Sequence, residues 1–299
     1  MTSKPKVYFT KEITSEKLIE LYNKLEIKLQ GNIAVKVHTG EKGNTNFLRP
    51  EFMKPLVDYL DGTIVETNTA GPHEDSQRTT YEKHKKVLEE HGWTTTFKKV
   101  EILDAEQPDE EIDIPNGIIL KKHYIGNKTK NFDSFLVLAH FKGHVMGGFG
   151  GALKQLSIGF ASRLGKTLMH SGGKNRETDK FMTTLCPDKD FKEVMADAAY
   201  SIVNKFKGKM VFINVMKNIS IDCDCDEEAD PPCMKDIGML ASIDPVAIDK
   251  ACLDLIYKSD DPGKKPLIER IEKVLGPHII ECSVQHGTGC ADYELVNID

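Results

Sequence analysis

The sequence predicts an α/β protein: a mixed or largely parallel sheet with helices on both faces, in one unit or in two lobes of about residues 1–130 and 131–299. Three observations lead there. Short β-type runs alternate with amphipathic segments along most of the chain, the pattern of a sheet covered by helices. The run "FDSFLVLAH" has a continuous apolar core, as a strand buried on both faces does. At 299 residues the chain exceeds the usual single-domain length, and its 39% hydrophobic and 29% charged residues are ordinary for a globular protein.

"KVYF" opens the sheet. Ile13, Leu18, Leu21, Leu25 and Leu29 then follow helical spacing, and "NIAVKVH" alternates Ile33, Val35 and Val37 inward as a strand ending at His38. Pro50 begins a helix to about Leu60, and "GTIVET" is the next strand. The polar loops after these two strands carry His38, Arg49, His73 and Arg78, which are either walls of a cleft at strand ends or solvated turns. A helix from Tyr81 to His91 and β-type runs near 94–103 and 117–125 lead to "FDSFLVLAH". Leu153, Leu156, Phe160, Leu164 and Leu168 follow at helical spacing, with Gly159 and Gly165 predicting a kink or tight packing. "CPDKDFKEVMADAAYSIVNKF" is an amphipathic helix and "KMVFINVM" a strand. A short apolar stretch then runs into a helix opening at Asp244 and Pro245, the one as N-cap and the other as first helical residue.

A net charge of -6 without long like-charged blocks speaks against nucleic-acid binding, while small anions remain candidates because clefts are charged locally. The N-terminus has no apolar core or cleavage site of a signal peptide, and no run of about 18 apolar residues predicts a membrane span. The expectation is a cytoplasmic protein. Its seven cysteines, an odd number, suit reduced thiols or metal ligands better than a disulfide framework.

"HFKGHVMGGFGGALK" is the densest motif. Its glycines, Gly147, Gly148, Gly150 and Gly151, let backbone N–H groups approach a ligand ahead of a helix N-terminus, which outlines an anion site; close strand-to-helix packing explains them equally. The spacing is neither the dinucleotide fingerprint nor the P-loop. His140, Lys142, His144, Lys154, Arg163, Lys166 and His170 cluster around the same strand end, and such a set repels itself without an anion or a metal. His144 suits a proton carrier or a metal ligand, and Lys154 an imine or a charge pair. Lys142 and Arg163 are the candidates to hold an anion.

A second candidate site is "DCDCD". Cys223 and Cys225 share one face of an extended segment, and Cys233 is able to turn back. Three thiolates with Asp222 or a remote histidine would suit a divalent metal such as zinc or iron, or the loop is simply acidic surface. Cys282 and Cys290 flank a segment with His286, and Cys252 reads as core.

"KVHTGEKGNTNFLRP", the glycine-rich segment through "TLMHS", "DCDCD" and "DIGMLASIDPVAIDKACLDL" together resemble the domain-of-unknown-function 362 family over essentially the whole chain. Many of its members carry ferredoxin-type cysteine runs after the "MHS" segment. This chain has only Cys186 between His170 and Phe191, so no ferredoxin-type cluster is expected. Over about 30 residues the order His144, Lys154, His170 is also similar to that of nickel-pincer lactate racemases. That resemblance implies nickel, a pincer-type organic cofactor on Lys154, His144 as general acid/base and His170 as a ligand.

The function predicted is a small-molecule enzyme with a metal or organometallic cofactor, transferring a proton or hydride on a small hydroxy-acid-like anion. The rival is a non-catalytic metal-handling or iron–sulfur-type protein with an anion-binding glycine loop.

Overall fold

Strand β1 (Lys6–Thr10) leads into helix α1 (Ser15–Lys24), whose first turn is capped by the Thr14 hydroxyl accepting from the Lys17 N–H. The computed structural model describes residues 4–71 and 76–299, so His73 lies outside the described residues. Next come β2 (Ile33–Lys36), α2 (Pro50–Tyr59), β3 (Thr63–Glu66), α3 (Tyr81–Glu90), the single turn α4 (Trp93–Thr96) and β4 (Val100–Ile102). The β-type run near 94–103 is therefore half helical turn, because Trp93 is anchored in the core and donates from its indole to the Thr39 carbonyl at 3.0 Å.

A hairpin of β5 (Glu110–Asp113) and β6 (Lys122–Ile125) precedes β7 (Ser134–His140), and a second hairpin, β8 (Lys142–His144) with β9 (Gly148–Gly150), follows it. The helix expected after the glycines is broken. α5 (Ala152–Lys154) runs into a π-turn at Gln155–Gly159, and α6 (Arg163–His170) starts afresh, capped by Ser162. Then come α7 (Asp188–Lys205), β10 (Met210–Met216), β11 (Gly238–Ser242), α8 (Pro245–Lys258), α9 (Lys264–Lys273), α10 (His278–His286) and β12 (Glu294–Asn297).

Eight strands form one sheet in the order β12-β1-β11-β10-β7-β2-β3-β4. All neighbours pair in parallel except those of β11, which runs against both β1 and β10. The sheet crosses the expected lobe boundary near residue 130, since β7 pairs with β2 on one side and β10 on the other. Alternate residues of each central strand feed two cores. Phe135, Val137 and Phe212 pack with α7 and α8 on one face, while Leu136, Leu138 and Ile213 pack with α1 and α2 on the other. Among the described residues, no helix is long and apolar enough to cross a membrane.

Candidate active site

The carboxyl ends of β2, β3 and β7 deliver His38, Glu66 and His140 to one edge of the sheet, where open α/β sheets hold ligands. A cavity of about 330 Å³ opens there. The hairpin β8–β9, α5, the π-turn and α6 complete its walls with Lys142, His144, Lys154, Lys166 and His170, and Cys225 reaches in from the acidic loop.

Asp224 ties that loop down. His140 Nδ1 lies 2.9 Å from Asp224 Oδ2 and its Nε2 lies 2.5 Å from the Lys217 carbonyl, while Lys142 Nζ donates to the same carboxylate at 2.9 Å. Burial alone would raise the Asp224 pKa; His140 and Lys142 outweigh it and hold the carboxyl well below its ordinary value. Asp222, the carboxylate singled out from sequence, points instead to Arg270 at 2.6 Å.

His144 and His170 are both buried, and their ring nitrogens are assigned in opposite senses. His144 Nδ1 accepts from the Gly147 and Met146 N–H groups at 2.8 and 3.2 Å, so a neutral ring carries its proton on Nε2. His170 Nδ1 faces the Lys166 carbonyl at 2.6 Å and must donate, which leaves its Nε2 as a lone pair. Both rings stay neutral. Burial, then Lys154, pushes His144 well below the ordinary histidine value, and burial takes His170 down to about 4.

Lys154 Nζ donates to Cys223 Sγ at 3.0 Å. Burial opposes a charge on Cys223, yet the Cys225 thiol, Lys154 and Lys142 hold it well below the usual thiol value. Cys225, which is exposed, moves up chiefly through its bond to Cys223, so the pair carries one thiolate. The ligand atoms of Cys223, Cys225 and His144 lie within 4.8 Å of one another, a candidate metal group. Cys233 stands apart from that group: its sulfur lies 3.3 Å from the Ile219 carbonyl and burial pushes its thiol up.

The glycine-rich loop spends its neighbouring amides internally. The Gly147 N–H goes to His144, Gly148 and Gly150 lie in the β8–β9 ladder, and the Ala152 and Leu153 N–H groups donate to Asp249 at 2.8 and 2.9 Å. A Cβ on Gly151 would sit 2.4 Å from Asp249 Oδ1, and Gly148 turns at φ +80°. The expected anion place at the helix start is thus filled by the protein's own carboxylate. Arg163, expected to hold an anion, reaches the Gly71 carbonyl and Asp179 at 2.9 and 3.1 Å instead. Lys166 gives all three of its protons to Thr67, Asn68 and Ala161, and burial lowers it to about 8.

Glu66, Arg78, Gln155 and Asp224 carry much of the site's electrostatics. Arg78, named in sequence only as one of four loop residues, is buried between Glu41 and Glu66 at 3.2 and 3.5 Å and lines the cavity. Lys36 beneath it is paired with Glu66 and donates to Gln155 at 2.9 Å. His38 lines the cavity too, its Nδ1 accepting from the Gly40 N–H at 3.1 Å. Arg49 stacks on Phe47, His286 bonds to Asp197 at 2.6 Å, Cys290 is exposed and Cys252 is core; none lines this cavity.

Several solved structures are similar to the chain. A Thermotoga maritima protein aligns over 92% of this chain and 59% of its own, at 17% identity and a TM-score of 0.43. The lactate racemase apoprotein from Thermoanaerobacterium thermosaccharolyticum aligns over 72% of this chain and 51% of its own, at 12% identity and a TM-score of 0.42. The chain thus spans a little over half the length of each. No curated protein matches it. The family model of the domain of unknown function 362 matches residues 33–254, well over half of the sequence, and the chain belongs to that family.

Proposed function

We propose that the chain is an enzyme that binds a small hydroxy-acid-like anion in this cavity and moves a proton or a hydride equivalent at the carbon beside its charged group. The observation that carries the reading is the pair of buried neutral imidazoles with opposite tautomers on one cation-lined cavity. His144 Nε2–H is a hydrogen-bond donor for a developing oxyanion, and His170 Nε2 is a base that stays unprotonated at neutral pH. A base lowered to about 4 is weak, so the carbon acid must be made more acidic by charge. Lys154 supplies that charge and orients the carboxylate, with Arg78, itself held between Glu41 and Glu66, beside it. Lys154 takes the part that Arg163 was expected to play.

Cys223 and Cys225 fit a soft divalent metal, whether zinc, iron or nickel. His144 fits less well as its third ligand, because coordination through Nε2 would require a proton on the Nδ1 that two amides already occupy. A metal held by the thiols would supply Lewis acidity. A pincer-type organic cofactor would find an attachment point in Lys154, which lines the cavity.

The test is exchange in D₂O. Purified protein with its bound metal should introduce deuterium at the α-carbon of one member of a 2-hydroxy-acid panel, read by NMR. His170→Gln should abolish the exchange and His144→Gln should slow it at least tenfold. Undiminished exchange in His170→Gln overturns the role of the base. The second reading, a metal-handling protein, rests on the same two thiols. It takes over if no panel member exchanges while Cys223→Ser with Cys225→Ser releases a stoichiometric metal.

A further inference from the structure

Outside the cavity, α7 and α10 bring together a second set of ligand-type side chains that the proposed chemistry does not use. One carboxylate oxygen of Glu193, one ring nitrogen of His278 and the sulfur of Cys282 lie within 4.8 Å of one another. His278 and Cys282 are four residues apart on α10 and so share a face, and Glu193 comes across from α7. His278 Nε2 is 3.4 Å from Cys282 Sγ and 3.6 Å from a Glu193 oxygen. A tetrahedral zinc site, with bonds of roughly 2.3 Å to sulfur and roughly 2.0–2.2 Å to nitrogen and oxygen, has ligand-to-ligand edges of roughly 3.3–3.6 Å. Two of the three edges therefore stand near the spacing such an ion imposes, and the third, from Glu193 to Cys282, is within 4.8 Å.

The surroundings agree. His278 Nδ1 lies 2.9 Å from Glu281 Oε2, an acceptor that keeps the proton on Nδ1 and leaves the Nε2 lone pair facing the other two ligands. Cys282 is buried, while a surface cleft lined by Lys189, His278 and Glu281 reaches the site at His278. Lys189 is the local competitor, 3.4 Å from the same Glu193 oxygen.

We propose that Glu193, His278 and Cys282 bind a zinc-like divalent cation that clamps α7 to α10. On binding, the Cys282 S–H bond breaks, its proton leaves to solvent, a metal–sulfur bond forms, and Lys189 gives up Glu193. No electron is transferred. In the metal-free form Cys282 and His278 share a hydrogen bond, the contact that the ion replaces.

The full chain carrying Cys223→Ser and Cys225→Ser, stripped with a chelator and titrated with Co(II) and then Zn(II), isolates this site from the cavity thiols. One equivalent of Co(II) should bind with a thiolate charge-transfer band, and zinc should displace it. Cys282→Ser in that background should remove the band. Because Cys282 is buried, His278→Gln and Glu193→Gln are tested beside it, and each should weaken Co(II) binding at least tenfold while the fold persists by circular dichroism. No thiolate band in the double variant overturns the proposal, and so does a band that survives both Cys282→Ser and His278→Gln. Failure here leaves the cavity chemistry untouched.

Discussion

Asp249 fills the place that the glycine-rich loop offers to an outside anion. Its carboxylate takes the Ala152 and Leu153 amides and the Asn214 side chain, at 2.7–2.9 Å. Each buried donor left without an acceptor costs about 1–3 kcal/mol, so Asp249→Ala should lower stability by several kcal/mol in urea melts, and Asp249→Asn, which keeps one oxygen, by less. A wild-type midpoint for Asp249→Ala would mean that water replaces the carboxylate at no cost. His144, Lys154 and His170 were legible in the sequence because residue type and order marked them. Asp249 and Asp224 were not, since their partners lie 97 and 84 residues away and only the folded sheet joins them. Asp222 and Asp224 have the same composition around them, and the turn after β10 gives one to Arg270 and the other to His140.

The segment from β7 to α6 shows what periodicity reports. Leu153, Leu156, Phe160 and Leu168 are buried as their spacing predicts, yet they do not share one helix. The π-turn and a restart at Ser162 keep the same face inward while swinging His170 and Lys166 toward the cavity. Burial repeats were therefore readable, whereas the break depends on where β6 passes. A Cβ on Gly165 would lie 2.1 Å from the Tyr124 carbonyl. Helix propensity alone favours Gly165→Ala by about 1 kcal/mol. The close backbone contact reverses that sign, so Gly165→Ala should melt below wild type by differential scanning calorimetry. A gain in melting temperature would show that α6 moves off β6 freely.

Over the whole molecule, a chain of net charge -6 holds several cations and neutral imidazoles inside, and this sets how it meets acid. Burial, the largest cause in each case, lowers His38, His84 and His144 well below the ordinary value and takes His170 to about 4 and His123 to about 3. A histidine whose folded value is depressed contributes stability above its unfolded value of about 6.5 and loses it as pH falls toward the folded one. Asp249, raised to about 6 by burial, works the other way: its protonation favours the folded state, so its contribution grows as pH falls through 6. The lowered histidines, His91 among them, outweigh it, and stability should fall steadily below about pH 6.5. His123 isolates the effect because it lies away from the cavity, with Nδ1 2.9 Å from Ser201 Oγ and Nε2 buried without a hydrogen-bond partner among the described residues. Its share is about 2 kcal/mol lost between pH 7 and pH 5. His123→Phe removes both the titration and the unpaired nitrogen, so it should unfold near the wild-type urea midpoint at pH 7 and above it at pH 5. If the two proteins lose stability in parallel across that interval, His123 does not stay neutral in the folded chain, and the acid sensitivity has to come from the other lowered histidines.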